Sequence, residues 1–182
     1  MKPLLKPTQL TLALFAVYLI AIYWIIVLKF NISAYHDRIE RSINLIPFRE
    51  ALLYQSKMDL NEILLNVFIF IPLGLYMGIL GEKWGIGKKV VQFFSLSFLF
   101  ELSQYILKVG AFDVTDLINN TAGGMLGLLM YAGLERAFQG RIKAQKFINI
   151  ICLIGTIMIF SFLIFLKINN LWIFRMQLLN QG

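Results

Sequence analysis

The sequence predicts an all-α membrane protein: a polytopic bundle of about five transmembrane helices, N-terminus inside and C-terminus outside. Three observations carry that reading. Hydrophobic residues make up 59% of the 182-residue chain and mean hydropathy is +0.74, a level at which lipid rather than water has to be the solvent. Five stretches approach the ~20 apolar residues that a ~30 Å hydrocarbon core requires; they lie near 8–28, 61–80, 90–107, 114–134 and 147–167. Basic residues, finally, are unevenly placed. If the stretches cross in alternation, Lys2, Lys6, Lys83, Lys88, Lys89, Arg136, Arg141, Lys143 and Lys146 share one side with only Glu82 and Glu135, so the whole formal charge of +7 lies there. Short segments rich in Lys and Arg stay cytoplasmic. They set topology and touch anionic lipid, and no nucleic-acid partner is expected of them.

The first stretch follows Lys2 and Lys6 but is longer than the roughly 7–15 apolar residues of a signal peptide. It runs into Lys29-Phe30-Asn31 without a small-residue cleavage site, so a retained helix is expected. The connection 30–60 mixes signs, from His36 to Asp59, and contains Ser42-Ile-Asn-Leu-Ile-Pro-Phe48, apolar but too short to span. Pro47 suits the first turn of a helix. Arg49 to Lys57 reads as a short interfacial helix with Leu52, Leu53 and Tyr54 toward lipid. This connection is expected to fold as a lid over the outer helix ends, a plain solvated loop being the alternative. Pro72 is expected to kink the second stretch. The third, VVQFFSLSFLFELSQYIL, is short, and the fourth opens on polar residues, FDVTDLINNTAGGMLG from Phe112. The fifth holds Cys152, the single cysteine, which has no partner in the chain for a disulfide. One transmembrane domain is expected over residues 1–182, ending in the helix 147–167 and a short tail.

Acids set into such stretches need a reason, because an Asp at a helix centre costs roughly 2.5–3.5 kcal/mol on insertion scales. Alternating crossings put Asn66 of the second helix, Glu101 of the third and Asn120 of the fourth at one depth, roughly 9 Å inside the outer boundary. Ser97, Glu101 and Gln104 step by four and three along one helix face. Asp113, Asp116 and Asn120 step likewise and lead into Gly123, Gly124 and Gly127. Those glycines, with Gly74 and Gly78 on the second helix, are packing residues that let backbones approach. Glu62-x-x-x-Asn66 and Asp116-x-x-x-Asn120 echo each other 54 positions apart, and Glu62 and Asp59 read as favourable charges at a helix N-terminus.

Glu101, Asp113 and Asp116 are therefore the candidate functional acids. The only histidine, His36, lies in the loop, and no Ser/His or Cys/His nucleophile pair, Cys/His metal cluster or glycine-rich phosphate loop is present. Neither a metal nor another cofactor is expected. Carboxylates and amides at membrane depth suit binding of a cationic or hydrogen-bonding group, with carboxylate-driven hydrolysis or oxygen ligation of a hard divalent cation as the alternatives.

Four linked motifs resemble the VanZ family across residues 40–130: Asn44-Leu-Ile-Pro-Phe48; Asn61-Glu-Ile-Leu-Leu-Asn66 leading to Pro72-Leu-Gly74; Phe100-Glu101-Leu-Ser-Gln104; and Phe112-Asp113-Val-Thr-Asp116 leading to Asn119-Asn120-Thr-Ala-Gly-Gly124. The resemblance implies a multi-pass bacterial plasma-membrane protein linked with low-level resistance to teicoplanin, a lipoglycopeptide. It places the family's polar motif residues on Asn44, Asn66, Glu101, Gln104, Asp113, Asp116 and Asn120. The expected partners are membrane lipid and either the lipoglycopeptide antibiotic or a lipid-linked cell-wall precursor, bound in an acidic outer-leaflet pocket. The alternative is an intramembrane hydrolase of a lipid or cell-wall precursor, with Glu101, Asp113 and Asp116 catalytic.

Overall fold

The computed structural model describes residues 7–27, 42–48 and 60–168. Five helices account for almost all of it: α1 (Pro7–Ile26), α2 (Leu60–Leu80), α3 (Ile86–Leu107), α4 (Val114–Ala137) and α5 (Arg141–Ile168). The protein is a helical membrane bundle. Lys2, Lys6, His36, Asp59 and the expected interfacial helix Arg49–Lys57 lie outside the described residues.

Two helices start earlier than hydropathy indicates, α3 at Ile86 instead of 90 and α5 at Arg141 instead of 147. Hydropathy marks the part of a helix that lipid covers, whereas the helix itself continues through charged residues into the interface. Lys88 and Lys89 form the first turn of α3 after the extended N-cap Gly85, and Arg141 opens α5 after the left-handed Gln139. Among the described residues, four helices are long and apolar enough to cross a membrane: α1, α2, α3 and α5. The 24-residue α4 is as long as its neighbours but too polar to qualify by composition. Its polar stripe is turned inward, with Asn119, Asn120, Gly123, Gly124 and Gly127 buried.

Helices α2 and α4 form the tightest pair, running parallel with backbones in contact. A β-carbon on Gly123 would strike the Val67 carbonyl, and one on Gly127 the Ile71 carbonyl and Gly74 Cα. Gly78 gives its space to the ring of Tyr131 and Gly124 to that of Phe93. Small residues thus replace the side-chain layer that would hold these helices apart. α2 stays helical through Pro72. Two turns of aromatic contact attach α1 to it: Phe15 and Tyr18 meet Tyr76, and the Tyr18 hydroxyl donates to the Ile69 carbonyl at 2.8 Å. The main core lies between α1, α2 and α3, on Ile22, Phe70, Leu73, Phe93 and Phe100.

Two features were not foreseen in the sequence. Ile43–Asn44 (β1) pairs in parallel with Phe112–Asp113 (β2), so the connection before α2 is docked onto the loop before α4 at this point. The second is a buried polar triad joining the first and last helices. Thr11 donates to Asn149 Oδ1 at 2.9 Å and accepts from Gln145 Nε2 at 2.9 Å, with Thr11 wholly buried.

Candidate functional site

Asp113 explains how the site is assembled. It is the N-cap of α4: its Oδ1 accepts from the Thr115 amide at 2.7 Å, filling one of the orphan donors of the first turn. Its Oδ2 accepts from Asn44 Nδ2 at 2.9 Å, and its own amide donates to Glu101 Oε2 at 3.0 Å. One residue therefore ties β1, α3 and α4 together. Glu101, 1% exposed, is consequently held beside the amide-rich end of α4, where a negative charge is favoured. Asn44 Oδ1 also accepts from the Ile46 amide, and the Phe48 amide donates to Thr115 Oγ1 at 3.0 Å. Phe48 adopts φ 53°, a left-handed conformation that an aromatic residue tolerates only when its surroundings enforce it. The expected first helical turn at Pro47 is instead this tight turn, and it packs against the start of α4.

One turn further into the bundle, Asn120 Nδ2 donates to Ser97 Oγ at 2.9 Å, with both residues fully buried. Ser97, Glu101 and Gln104 thus use their shared face in three ways: toward Asn120, toward Asp113, and toward α1. Gln104 Nε2 donates to the Ile26 carbonyl at 2.8 Å, satisfying the last residue of α1. Two buried amide atoms keep unused capacity, Asn120 Oδ1 and Asn119 Nδ2.

Asp116 belongs to a different space. Asn66 Nδ2 donates to its Oδ1 at 2.6 Å, a short charge-assisted bond between α2 and α4. The internal echo is therefore read crosswise, Asn66 of the first pair meeting Asp116 of the second. Asp116, Asn66, Gln104 and Glu62 line a cavity of about 340 Å³ together with Ile25, Ile26, Leu65 and Ile69. A volume of this size falls in the range of small-ligand sites, which are mostly apolar with a few directed polar groups. Of the seven polar motif residues, Asn66, Gln104 and Asp116 line the cavity. Asn44, Glu101 and Asp113 form the β1–α3–α4 junction beside it, and Asn120 lies buried against Ser97. Among the described residues, no three His, Cys, Asp or Glu side chains are grouped to hold a metal ion.

The family model described as VanZ/LLP1 matches residues 15–138. The chain belongs to the VanZ/LLP1 family. Protein VanZ of Enterococcus faecium is 33% identical over 162 residues, covering 88% of this chain and 96% of that protein. No solved structure matches. The part matched by the VanZ/LLP1 model takes in most of α1, all of α2 to α4 and every polar residue of the junction and cavity, and stops where α4 gives way to α5.

Two contributors to this candidate site were missed, in whole or in part, by the sequence reading. Glu62 lies in the first turn of α2, as expected, and it also lines the cavity with Asp116. Its place four residues before Asn66 on one helix face was the available signal. Thr115 is the second, and its role as acceptor for Phe48 depends on a contact across 67 residues that no local pattern encodes.

Proposed function

We propose that this protein binds an amphiphilic ligand with a cationic or hydrogen-bonding group in the acidic cavity between α1, α2, α3 and α4, and that this binding underlies a VanZ-like role in teicoplanin resistance. The observation that carries the reading is the composition of the cavity wall: two carboxylates and two amides set among branched aliphatic side chains. A lipoglycopeptide pairs a basic peptide core with an acyl chain, and a lipid-linked cell-wall precursor pairs polar groups with a lipid tail. Either fits a pocket whose wall mixes acidic and amide groups with aliphatic side chains. The placement of Lys and Arg supports an orientation with the N-terminus inside, in which this cavity would open in the outer half of a bacterial plasma membrane.

The same geometry supports binding over hydrolysis by the three acids. Both Asp113 oxygens accept from protein donors, and Glu101 is buried beneath Asp113 rather than on the cavity wall. A general acid or base has to come within hydrogen-bond reach of the substrate.

The test is expression in a teicoplanin-sensitive Gram-positive host. Asp116→Asn and Glu62→Gln, each present in the membrane at the level of the unmodified protein, are expected to return teicoplanin sensitivity to that of cells lacking the protein. Vancomycin, which has no acyl chain, should show almost no change. Full teicoplanin protection by both variants would remove the proposal.

A further inference from the structure

The opposite end of the bundle holds a second recess, of about 420 Å³, between α2, α4 and α5. Leu75 and Cys152 lie among its lining residues with Met130, Gly133, Phe147 and Ile151, and its wall is almost wholly apolar. Helix α4 packs heavily on α2 but only lightly on α5, which leaves the recess open between them. A β-carbon at Gly133 would meet nothing within 4 Å, so the groove is unfilled beside the α4 backbone.

Basic residues gather at this end of α4 and α5. On α5 the lining residues Phe147 and Ile151 fall four apart, and the same stripe one turn earlier carries Lys143. On α4, Arg136 follows Gly133 by three positions at the same end. Arg136, Lys143 and the neighbouring Lys146 are exposed, and among the described residues none of them is engaged in an ion pair. Arg141 is committed elsewhere: it pairs with Glu82 and donates to the Ile79 carbonyl near the end of α2. The one acid on this rim of α4 is Glu135. An apolar slot that opens onto unpaired cations at a helix hairpin is complementary to a molecule with an acyl chain and an anionic head.

We propose that this groove is a binding site for an anionic phospholipid, with one acyl chain between α4 and α5 and the phosphate against Arg136 and Lys143. Basic pockets between transmembrane helices recognise acidic head groups in this way. The site is independent of the acidic cavity, from which it differs in charge, in lining and in position along α4.

The experiment uses the full chain purified in mild detergent and incubated with palmitoyl-oleoyl phosphatidylglycerol or with the phosphatidylcholine of identical chains, bound lipid being counted by native mass spectrometry. Phosphatidylglycerol should be retained about tenfold more tightly. The preference should vanish in Arg136→Gln/Lys143→Gln, which alters exposed side chains only. Gly133→Leu, which fills the groove from an open position, should lose the bound lipid while its melting temperature does not fall. Equal retention of the two lipids by the unmodified chain overturns the proposal. So does phosphatidylglycerol retention by Gly133→Leu, which would make the preference a matter of surface charge alone. A dimer that survives lipid removal and dissociates in Gly133→Leu would assign the groove to a second copy and equally overturn it.

Discussion

Asp113 and Asp116 are separated by less than one helical turn and do different work. Asp113 is consumed by architecture, with one oxygen capping α4 and the other holding Asn44. Asp116 has Asn66 on one oxygen and faces the cavity. Residue type and depth predict both to be costly in the membrane, but neither says which is a cap and which faces a ligand. The difference is testable. Asp113→Ala should destabilise the detergent-solubilised protein by about 1–2 kcal/mol, from the lost cap and the stranded Asn44 amide. Asp113→Ser should recover most of the cap contribution, since a serine hydroxyl accepts from the same amide. Asp116→Asn, whose amide oxygen can still accept from Asn66, should cost less stability than Asp113→Ala while losing teicoplanin protection. Chemical unfolding of the three variants measures this directly. Equal destabilisation by Asp113→Ala and Asp116→Asn would erase the distinction between junction and cavity.

At the scale of elements, the α2–α4 contact depends on the absence of side chains. A methyl group at Gly127 would have to occupy the space of the Ile71 carbonyl and Gly74 Cα, neither of which can rotate away. Gly→Ala in a free helix is worth up to about 1 kcal/mol of added stability. Overpacking at a backbone contact costs about 1–3 kcal/mol or more, so the steric effect wins at Gly127. At Gly133, where the space is open, the propensity gain should win instead. Gly127→Ala is therefore expected to lower the melting temperature and Gly133→Ala to raise it; shifts of the same sign would contradict the packing. The glycine stripes were legible in the sequence because their spacing of four matches a helix face. The helix-to-helix register was not, since Gly123 and Gly127 meet Val67 and Ile71 only once both helices are placed. The β1–β2 pairing was hidden for a related reason. Two residues at each end of a 69-residue separation carry no periodicity, although Asn44 and Asp113 had both been singled out by their motifs. Hydropathy located all five helices, yet it could not mark where α3 and α5 begin, because their first turns are charged and lie outside the apolar window.

Across the whole molecule, α1 behaves as a clasp fastened at both ends and in the middle. Near its start, Thr11 is bonded to Asn149 and Gln145 of α5. Halfway along, Tyr18 donates to the Ile69 carbonyl of α2, and at its end the Ile26 carbonyl is taken by Gln104 of α3. Ile25 and Ile26 also line the acidic cavity, so the fit of the clasp sets the shape of the site. Averaged hydropathy conceals this arrangement, because one threonine in α1 and two amides in α5 barely lower the mean of an apolar window. The i, i+4 spacing of Gln145 and Asn149 is the signal that remains. A thermodynamic cycle of Thr11→Val, Asn149→Leu and the pair tests the clasp. Interhelical hydrogen bonds in a membrane average about 0.6 kcal/mol and reach about 1.7 kcal/mol. The upper part of that range is expected here, because Thr11 is wholly buried and each single variant removes one hydrogen-bond partner from a buried polar group. The pair should therefore cost less than the two single changes together, by about 1–1.7 kcal/mol. Additive effects would mean that the Thr11–Asn149 bond contributes nothing to closing the bundle around the cavity, leaving α1 to its other hydrogen bonds and its apolar surface.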